Sequence, residues 1–259
     1  MKNITVILPV HKIDGIYKEM LDNSIKSVEQ FHNDVKLFIV APTTLTSELI
    51  NLSEVLEIEI ISNNGKTDFC SQINLGIEKC NTEWFSILEM DDEYKSIWLK
   101  STNEYAKKYE DVDVFLPVVK DINVEGNFVS FTNESTWAYG FTEKQGMLDN
   151  EVLLDFQNYQ ISGGLYKTQV IKDNGSLKEN IKLTFGYEFL LRLTHNNVKI
   201  MTVPRVGYQH LNFREDSLFW SYKNDEANKL SEDEAKFWLE TAKKEFFFKN
   251  KRDVNYEVA

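Results

Sequence analysis

Basic residues, cysteines and long apolar runs are what this chain has least of. Lys and Arg number 29 against 41 Asp and Glu in 259 residues, for a formal charge of −12. Affinity for a nucleic-acid backbone comes from Lys and Arg that neutralise phosphates, so the deficit argues against that partner. It also makes an anionic substrate costly to hold unless a metal ion or a local basic patch intervenes. The two cysteines, Cys70 and Cys80, fall in one helical pattern. At a rise of 1.5 Å per residue they stand roughly 15 Å apart, too far to bridge, and read as reduced thiols. No apolar stretch reaches transmembrane length. The N-terminal run Ile4–Val10 follows a single lysine and lacks a small-residue cleavage site, unlike a secretory signal. A cytoplasmic location is the default expectation. Internal repeats, low-complexity tracts and linkers are absent as well.

What is present belongs to a globular protein: 42% hydrophobic and 13% aromatic residues, enough to bury a substantial core. Strand and helix patterns alternate through the first half. Ile4–Val10 reads as a buried strand, and Gly15 to Gln30 as a helix with Ile16, Met20, Ile25 and Val28 on its apolar stripe. Val35–Ala41 is a strand, Thr46 to Leu56 a helix and Glu57–Ile61 a strand. Asp68 to Cys80 is a helix with Phe69, Ile73, Ile77 and Cys80 at helical spacing, and Trp84–Leu88 is the fourth strand. Strands joined by crossover helices predict a doubly wound, mostly parallel α/β sheet. Ligands of such sheets bind at the strands' C-terminal ends, where Pro9-Val10-His11, Asn63-Asn64-Gly65 and Glu89–Asp92 would gather.

The second half is less regular. Helices are expected at Lys100–Tyr109, near Lys167–Lys172, at Tyr187–Asn196 and at Glu232–Lys249. Strands are expected at Val112–Val119 and Val198–Val203, with a hairpin around Gly126–Phe131 and a loop-rich stretch from Asn133 to Asn158. The expected organisation is one domain over residues 1–215, with a nucleotide-binding half at 1–95 and an acceptor half at 96–215. Residues 216–259 would be a C-terminal helical extension. Its Trp238, Leu239, Ala242, Phe246 and Phe247 among lysines make an amphipathic helix. Three readings stay open for it: packing on the domain, a homodimer contact, or peripheral contact with the inner membrane surface.

The most informative segment is Trp84-Phe85-Ser86-Ile87-Leu88-Glu89-Met90-Asp91-Asp92-Glu93, an apolar strand that ends in four acids within five residues. A strand tip that fixes carboxylates can hold a divalent cation beside a phosphate. The bland alternative is a solvated acidic loop that starts the next helix, where acids favour the macrodipole.

Several motifs in order resemble the inverting family-2 glycosyltransferases of GT-A fold. Ile4-Thr5-Val6-Ile7-Leu8-Pro9-Val10 is similar to that family's opening strand, which ends in Pro-Val or Pro-Thr against the nucleotide. Asn74-Leu75-Gly76 running into Trp84–Asp92 resembles its Asn-x-Gly helix, strand and Asp-x-Asp-Asp tip. Ile161-Ser162-Gly163-Gly164 looks like its acceptor-side segment. Gly186-Tyr187-Glu188-Phe189-Leu190-Leu191-Arg192-Leu193 is like the helix that carries its catalytic acid. The resemblance spans about residues 4–215, and order with spacing gives it specificity that no single piece has. Departures are visible too. Glu89 stands for the first Asp of the tip, and Ala41-Pro42-Thr43-Thr44 replaces an Asp-Asp after the second strand. Ile73 stands where a basic residue is usual, and Phe185-Gly186-Tyr187-Glu188 where a Glu-Asp pair precedes the arginine helix.

The resemblance implies a metal-dependent enzyme that moves a sugar, expected to be UDP-linked, from a nucleotide diphosphate to an acceptor hydroxyl with inversion. Mn²⁺ or Mg²⁺ would be the cofactor, held by Glu89 and Asp91 with Asp92 beside them, and by a late histidine, His210. Pro9, Val10, His11, Asn64, Lys66 and Asp91 would bind the donor, and Gly163 and Gly164 would let an acceptor approach the backbone. Glu188 would be the general base; it equally suits an ion pair with Arg192 at i+4, in which case Asp155 or Asp173 could serve. Arg205 and Arg214 are candidates for phosphate contact or plain surface charge. The acceptor (glycan, lipid-linked saccharide or protein) is left open. Two rivals remain: a non-catalytic GT-A-like binding or structural module, and a sugar nucleotidyltransferase. The latter would want a glycine-rich basic loop where His11-Lys12-Ile13-Asp14-Gly15 stands.

Overall fold

The computed structural model describes residues 2–50, 52–64, 66–215 and 217–244, so Gly65, Phe246 and Phe247 lie outside the described residues. β1 (Ile4–Pro9) is buried along its whole length. Its side chains divide between two cores: Ile7 points into one, Val6 and Leu8 into the other. Apolar residues on both faces are what a central parallel strand requires. β1 pairs in parallel with β2 (Val35–Pro42) and with β4 (Trp84–Ile87), and β2 pairs in parallel with β3 (Ile58–Asn63). The crossovers are α1 (Ile16–Glu29) and α2 (Phe69–Lys79).

From β4 the sheet runs on through β9 (Leu165–Lys167), β6 (Val114–Ile122), β10 (Ile200–Leu211) and β5 (Glu93–Tyr94). β6 and β10 are parallel, whereas β9 is antiparallel to both β4 and β6. β7 (Phe128–Thr132) and β8 (Met147–Leu148) add short antiparallel pieces to β6 and β10. This is the mostly parallel doubly wound sheet expected from the alternating pattern. The remaining α-helices among the described residues are α3 (Trp98–Lys108), α4 (Asn150–Asp155), α5 (Thr168–Asn174), α6 (Phe185–His195), α7 (Leu218–Asn224) and α8 (Glu232–Lys244).

Three sequence readings need correction. The helix expected at Thr46–Leu56 is a short 3-10 turn at Thr43–Glu48 followed by bends. Its hydroxyls bond locally, Thr46 Oγ1 to the Thr43 carbonyl and Ser53 Oγ from the amides of Val55 and Leu56, which competes with helical bonds. The apolar stripe of α1 is rotated from the one expected. Ile16 is 59% exposed, and the buried face is Tyr17, Leu21, Ser24, Ile25, Ser27 and Val28. β10 is longer than Val198–Val203, so His210 lies within it. Its pairing to β6 shifts between Val203 and Tyr208, around Pro204, whose nitrogen has no proton for the ladder.

α8 settles on the domain through its described residues. Ala242 is buried, Trp238 and Leu239 pack on the core, and Thr184 Oγ1 donates to the Trp238 carbonyl at 3.0 Å. No helix among the described residues is long and apolar enough to cross a membrane.

Gly76 of α2 rides directly on β1, where an added Cβ would overlap the Ile7 γ-methyl. Gly76→Ala is therefore expected to lower stability by about 1–3 kcal/mol, read as a lower urea midpoint. An unchanged midpoint would mean that α2 and β1 are less closely apposed.

Candidate functional site

The acidic tip is held from three sides. Leu88 N donates to the Ile7 carbonyl at 3.0 Å, extending β4 beside β1 before the chain turns. From α1, the buried Ser24 Oγ lies 2.8 Å from the Met90 carbonyl and 2.7 Å from that of Asp92. One hydroxyl thus ties two backbone carbonyls of the tip to a helix almost seventy residues earlier. From the other side, Glu89 N donates to the Tyr208 hydroxyl at 3.0 Å, and Ser162 Oγ donates to the Glu89 carboxylate at 2.6 Å.

The four acids then part company. Asp92, 1% exposed, faces His210 Nδ1 at 3.0 Å and accepts from Leu211 N at 2.9 Å. Asp91 accepts from Arg214 Nε at 2.9 Å, and Glu93 pairs with Lys95 at 3.5 Å. Glu89 receives the neutral hydroxyl of Ser162. Carboxylate and imidazole atoms of Glu89, Asp92 and His210 all lie within 4.8 Å of one another. Oxygen and nitrogen donors at that separation fit a small divalent ion such as Mn²⁺. Since Asp92 faces His210 through Nδ1, Nε2 is the ring nitrogen that a metal ion would take in exchange for its proton, with Asp92 orienting the ring from behind.

Packing these groups together shifts their titration. Burial, then the neighbouring Asp92 charge, raises Glu89 to about 7. Burial works to discharge His210, but the Asp92 charge and hydrogen bond, with Glu89 and Asp91 behind, outweigh it and raise the ring to about 10. Asp91 is raised by burial and by Asp92, against the opposing pull of Arg214.

The tip opens into a cavity of about 940 Å³ whose wall includes Pro9, His11, Glu89, Asp91, Asp121 and His210. Of the expected donor residues, Pro9, His11 and Asp91 reach this wall. Val10 is fully buried and held through its backbone, its carbonyl accepting from Gln72 Nε2 and its N–H donating to Val40. Asn64 and Lys66 do not line the cavity. Asn64 accepts from Thr43 Oγ1, and Lys66 pairs at 2.5 Å with Glu179. Arg214 is on the wall, whereas Arg205 is turned to the Pro204 carbonyl.

The expectation for Gly163 and Gly164 needs correction: their missing side chains make room for the protein itself. Gly163 has φ +77°, and a Cβ there would lie 2.6 Å from the Tyr208 ring; one on Gly164 would meet the Tyr166 hydroxyl at 2.7 Å. Glu188 also differs from a general base in the cavity. It is 1% exposed, off the cavity wall, and paired with Arg192 at 2.9 Å and Lys178 at 3.1 Å. Arg192 in turn donates to the carbonyls of Asn174, Gly175 and Ser176, so this pair anchors a loop. Of the two readings of Glu188, the geometry supports the ion pair. Asp155 and Asp173 are likewise off the wall; Asp173 accepts from Gln169.

Asp121 is the acid that sequence reasoning missed. It is the penultimate residue of β6, in register with His210, is 3% exposed, accepts from Ser130 Oγ at 2.7 Å, and has its pKa raised chiefly by burial. Ser24 and Ser162 were missed as well, since a serine announces no tertiary partner. The break that Ser24 and Ser27 make in the apolar stripe of α1 was the one available signal.

The family model described as glycosyl transferase family 2 matches residues 5–163, more than half of the chain. The chain belongs to glycosyl transferase family 2. Solved structures agree on the fold. TarS from S. aureus in complex with UDP-GlcNAc superposes with a TM-score of 0.65 at 16% identity, over 88% of this chain and 63% of that one. The family-2 chain thus spans less than two thirds of that structure's length. The mannosyltransferase PcManGT from Pyrobaculum calidifontis, in complex with GDP-Man and Mn²⁺, gives 0.61 at 10% identity, over 83% of this chain and 58% of that one. No curated protein matches the sequence. These likenesses establish the GT-A fold that the motifs imply.

The two titration shifts combine into a testable pH dependence. Between its ordinary 4.5 and about 7, folded Glu89 keeps a proton that the unfolded chain releases, so stability falls as pH rises through that window. His210 contributes stability that is complete below its ordinary 6.5 and is lost as pH rises through about 10. Both act in one direction, opposed near pH 6 by His11, whose ring is lowered chiefly by burial; their sum should make the metal-free melting temperature fall as pH increases from about 5 to about 9. Glu89→Gln should flatten the acid part of that fall, and an equally steep curve in the variant would contradict the shift assigned to Glu89.

Proposed function

We propose that this protein transfers a sugar from a nucleotide-diphosphate donor, UDP-linked, to an acceptor hydroxyl with inversion, in a metal-dependent reaction. The carrying observation is the convergence of Glu89, Asp92 and His210 at a strand tip that opens into a cavity. In a chain of charge −12, a diphosphate in a cavity walled by carboxylates needs compensation. Glu89 and His210 Nε2 would hold Mn²⁺ or Mg²⁺, with Asp91 contributing and Asp92 orienting the imidazole from behind. A divalent ion there supplies charge stabilisation to the departing nucleoside diphosphate. The neighbours bound to UDP-GlcNAc and to GDP-Man with Mn²⁺ support the reading.

Residues of this chain do the rest. Pro9 and His11 shape the nucleoside end of the cavity. Segments 157–161 and 181–187, joined by Phe219 and Tyr222 of α7, wall the remainder, where an acceptor would lie. Inverting displacement requires a carboxylate that takes the acceptor proton as its oxygen attacks the anomeric carbon opposite the leaving group. Asp121 would serve as this base; its support is that it is a buried carboxylate on the cavity wall, in register with His210. Glu188, the base implied by the resemblance, is committed to Arg192.

A second reading, a nucleotide-binding module without transfer, is favoured by Phe185-Gly186-Tyr187-Glu188 standing where the family carries a Glu-Asp pair before the arginine helix. Titration calorimetry with UDP and GDP, with and without Mn²⁺, tests the donor site; metal-dependent UDP binding is expected, and its absence would overturn the proposal. Donor-hydrolysis and transfer assays then separate the readings. Asp121→Asn should lower kcat by about 10²–10⁴-fold with UDP affinity unchanged. Glu188→Gln should instead destabilise the fold. Metal-dependent binding with no turnover of any donor would favour the module.

A further inference from the structure

We propose that Arg214 is an exchangeable counter-cation, paired with Asp91 while the donor site is empty and transferred to the diphosphate when a nucleotide enters. The inference rests on the donor-site reading above and adds to it a competition between the protein's own cation and the metal ion. Asp91 is one of only two acids at the tip facing the cavity, and its Oδ2 already accepts from Arg214 Nε at 2.9 Å. Both side chains are largely withdrawn from water, at 12% and 11% exposure, so the pair is screened less than a surface pair. The guanidinium carbon lies 5.4 Å from the Tyr17 ring centre, with Nη1 3.4 Å from the Tyr17 hydroxyl. An aromatic platform on α1 thus supports the group whichever anion it faces.

Position makes the exchange possible. Arg214 follows the end of β10, where Leu211 N is pinned to Asp92. Between them Phe213 adopts φ +61°, with its N–H bonded to the Asn212 side chain. The arginine is therefore anchored beside the tip but carried on a turn outside the sheet. A guanidinium presents five N–H donors in a fork that matches phosphate oxygens. Among the described residues, Arg214 and Lys182 are the cavity wall's lysine and arginine complement, against Asp68, Glu89, Asp91, Asp121 and Glu179. An incoming diphosphate offers more charge than one carboxylate and draws the fork across, releasing Asp91 to a metal ion.

Exchange has a signature that a structural salt bridge lacks: loss of Arg214 moves two affinities in opposite directions. For Arg214→Gln, Mn²⁺ titrated alone should bind more tightly, because Asp91 is released. UDP titrated at saturating Mn²⁺ should bind about tenfold or more weakly, the value of a lost charged hydrogen bond. Arg214→Lys, which keeps a point charge without the fork, should fall between on both scales. Thermal melts confirm that each variant is folded, and the lysine variant carries the test if the glutamine variant is not. Wild type that binds Mn²⁺ and UDP while the variants shift neither affinity, or shift both the same way, overturns the exchange alone. Wild type that binds neither Mn²⁺ nor UDP overturns the donor-site reading and the exchange with it.

Discussion

Four carboxylates within five residues share one strand end only if each is sent to a different partner. Asp92 goes inward to His210 and the Leu211 amide, Asp91 to Arg214, and Glu93 to Lys95. Glu89 is the exception, bonded to a neutral hydroxyl beside the buried Asp92 charge. Like charges this close repel, and burial sharpens the repulsion. The arrangement is thus stabilised by protons on Glu89 and His210, or by a cation in their place. That electrostatic tension ties the fold to its site, because the groups that relieve it come from β10, the 161–164 turn, the loop after β10 and Lys95 just past β5.

The same dependence explains why distant segments look over-determined. Ser24 and Ser27 break the apolar face of α1, yet Ser24 secures the turn of the tip and Ser27 Oγ accepts from Tyr94 N at 3.1 Å. Tyr208 packs under Gly163 while its hydroxyl receives the Glu89 amide. Asn74 exchanges two hydrogen bonds with Leu177, and Arg192 takes the three carbonyls before it, which fixes the start of the loop leading to the cavity wall at Ile181–Phe185. Phe219 and Tyr222 of α7 and Leu239 of α8 then close that wall, so the described part of this segment borders the cavity as well as the core.

Much of this was legible in the sequence. The crossover order, the central strand β1 and the acidic tip follow from periodicity and composition, because a buried parallel strand has little freedom to look like anything else. The elements that escaped reading did so for local reasons. The hydroxyl-rich segment after β2 bonded to itself instead of forming a helix. At the candidate site, Glu89, Asp91 and Asp92 were visible by type and position, and His210 through the family resemblance; the cluster that forms is Glu89, Asp92 and His210, with Asp91 turned to Arg214. Asp121, Ser24 and Ser162 were not visible, since their roles arise from pairings across more than sixty residues or from the register of β6 with β10. Gly163 and Gly164 misled because a glycine is silent on whether the space beside it is for a ligand or for a neighbouring ring.

The central claim is that the tip of β4 is a divalent-cation centre facing a diphosphate. Its most direct test is anomalous diffraction at the manganese edge from crystals grown with Mn²⁺ and UDP. A single peak in coordination contact with Glu89 and His210, with the UDP diphosphate on its open side, is the expected result. UDP bound elsewhere, or manganese absent from these side chains at full nucleotide occupancy, would contradict it.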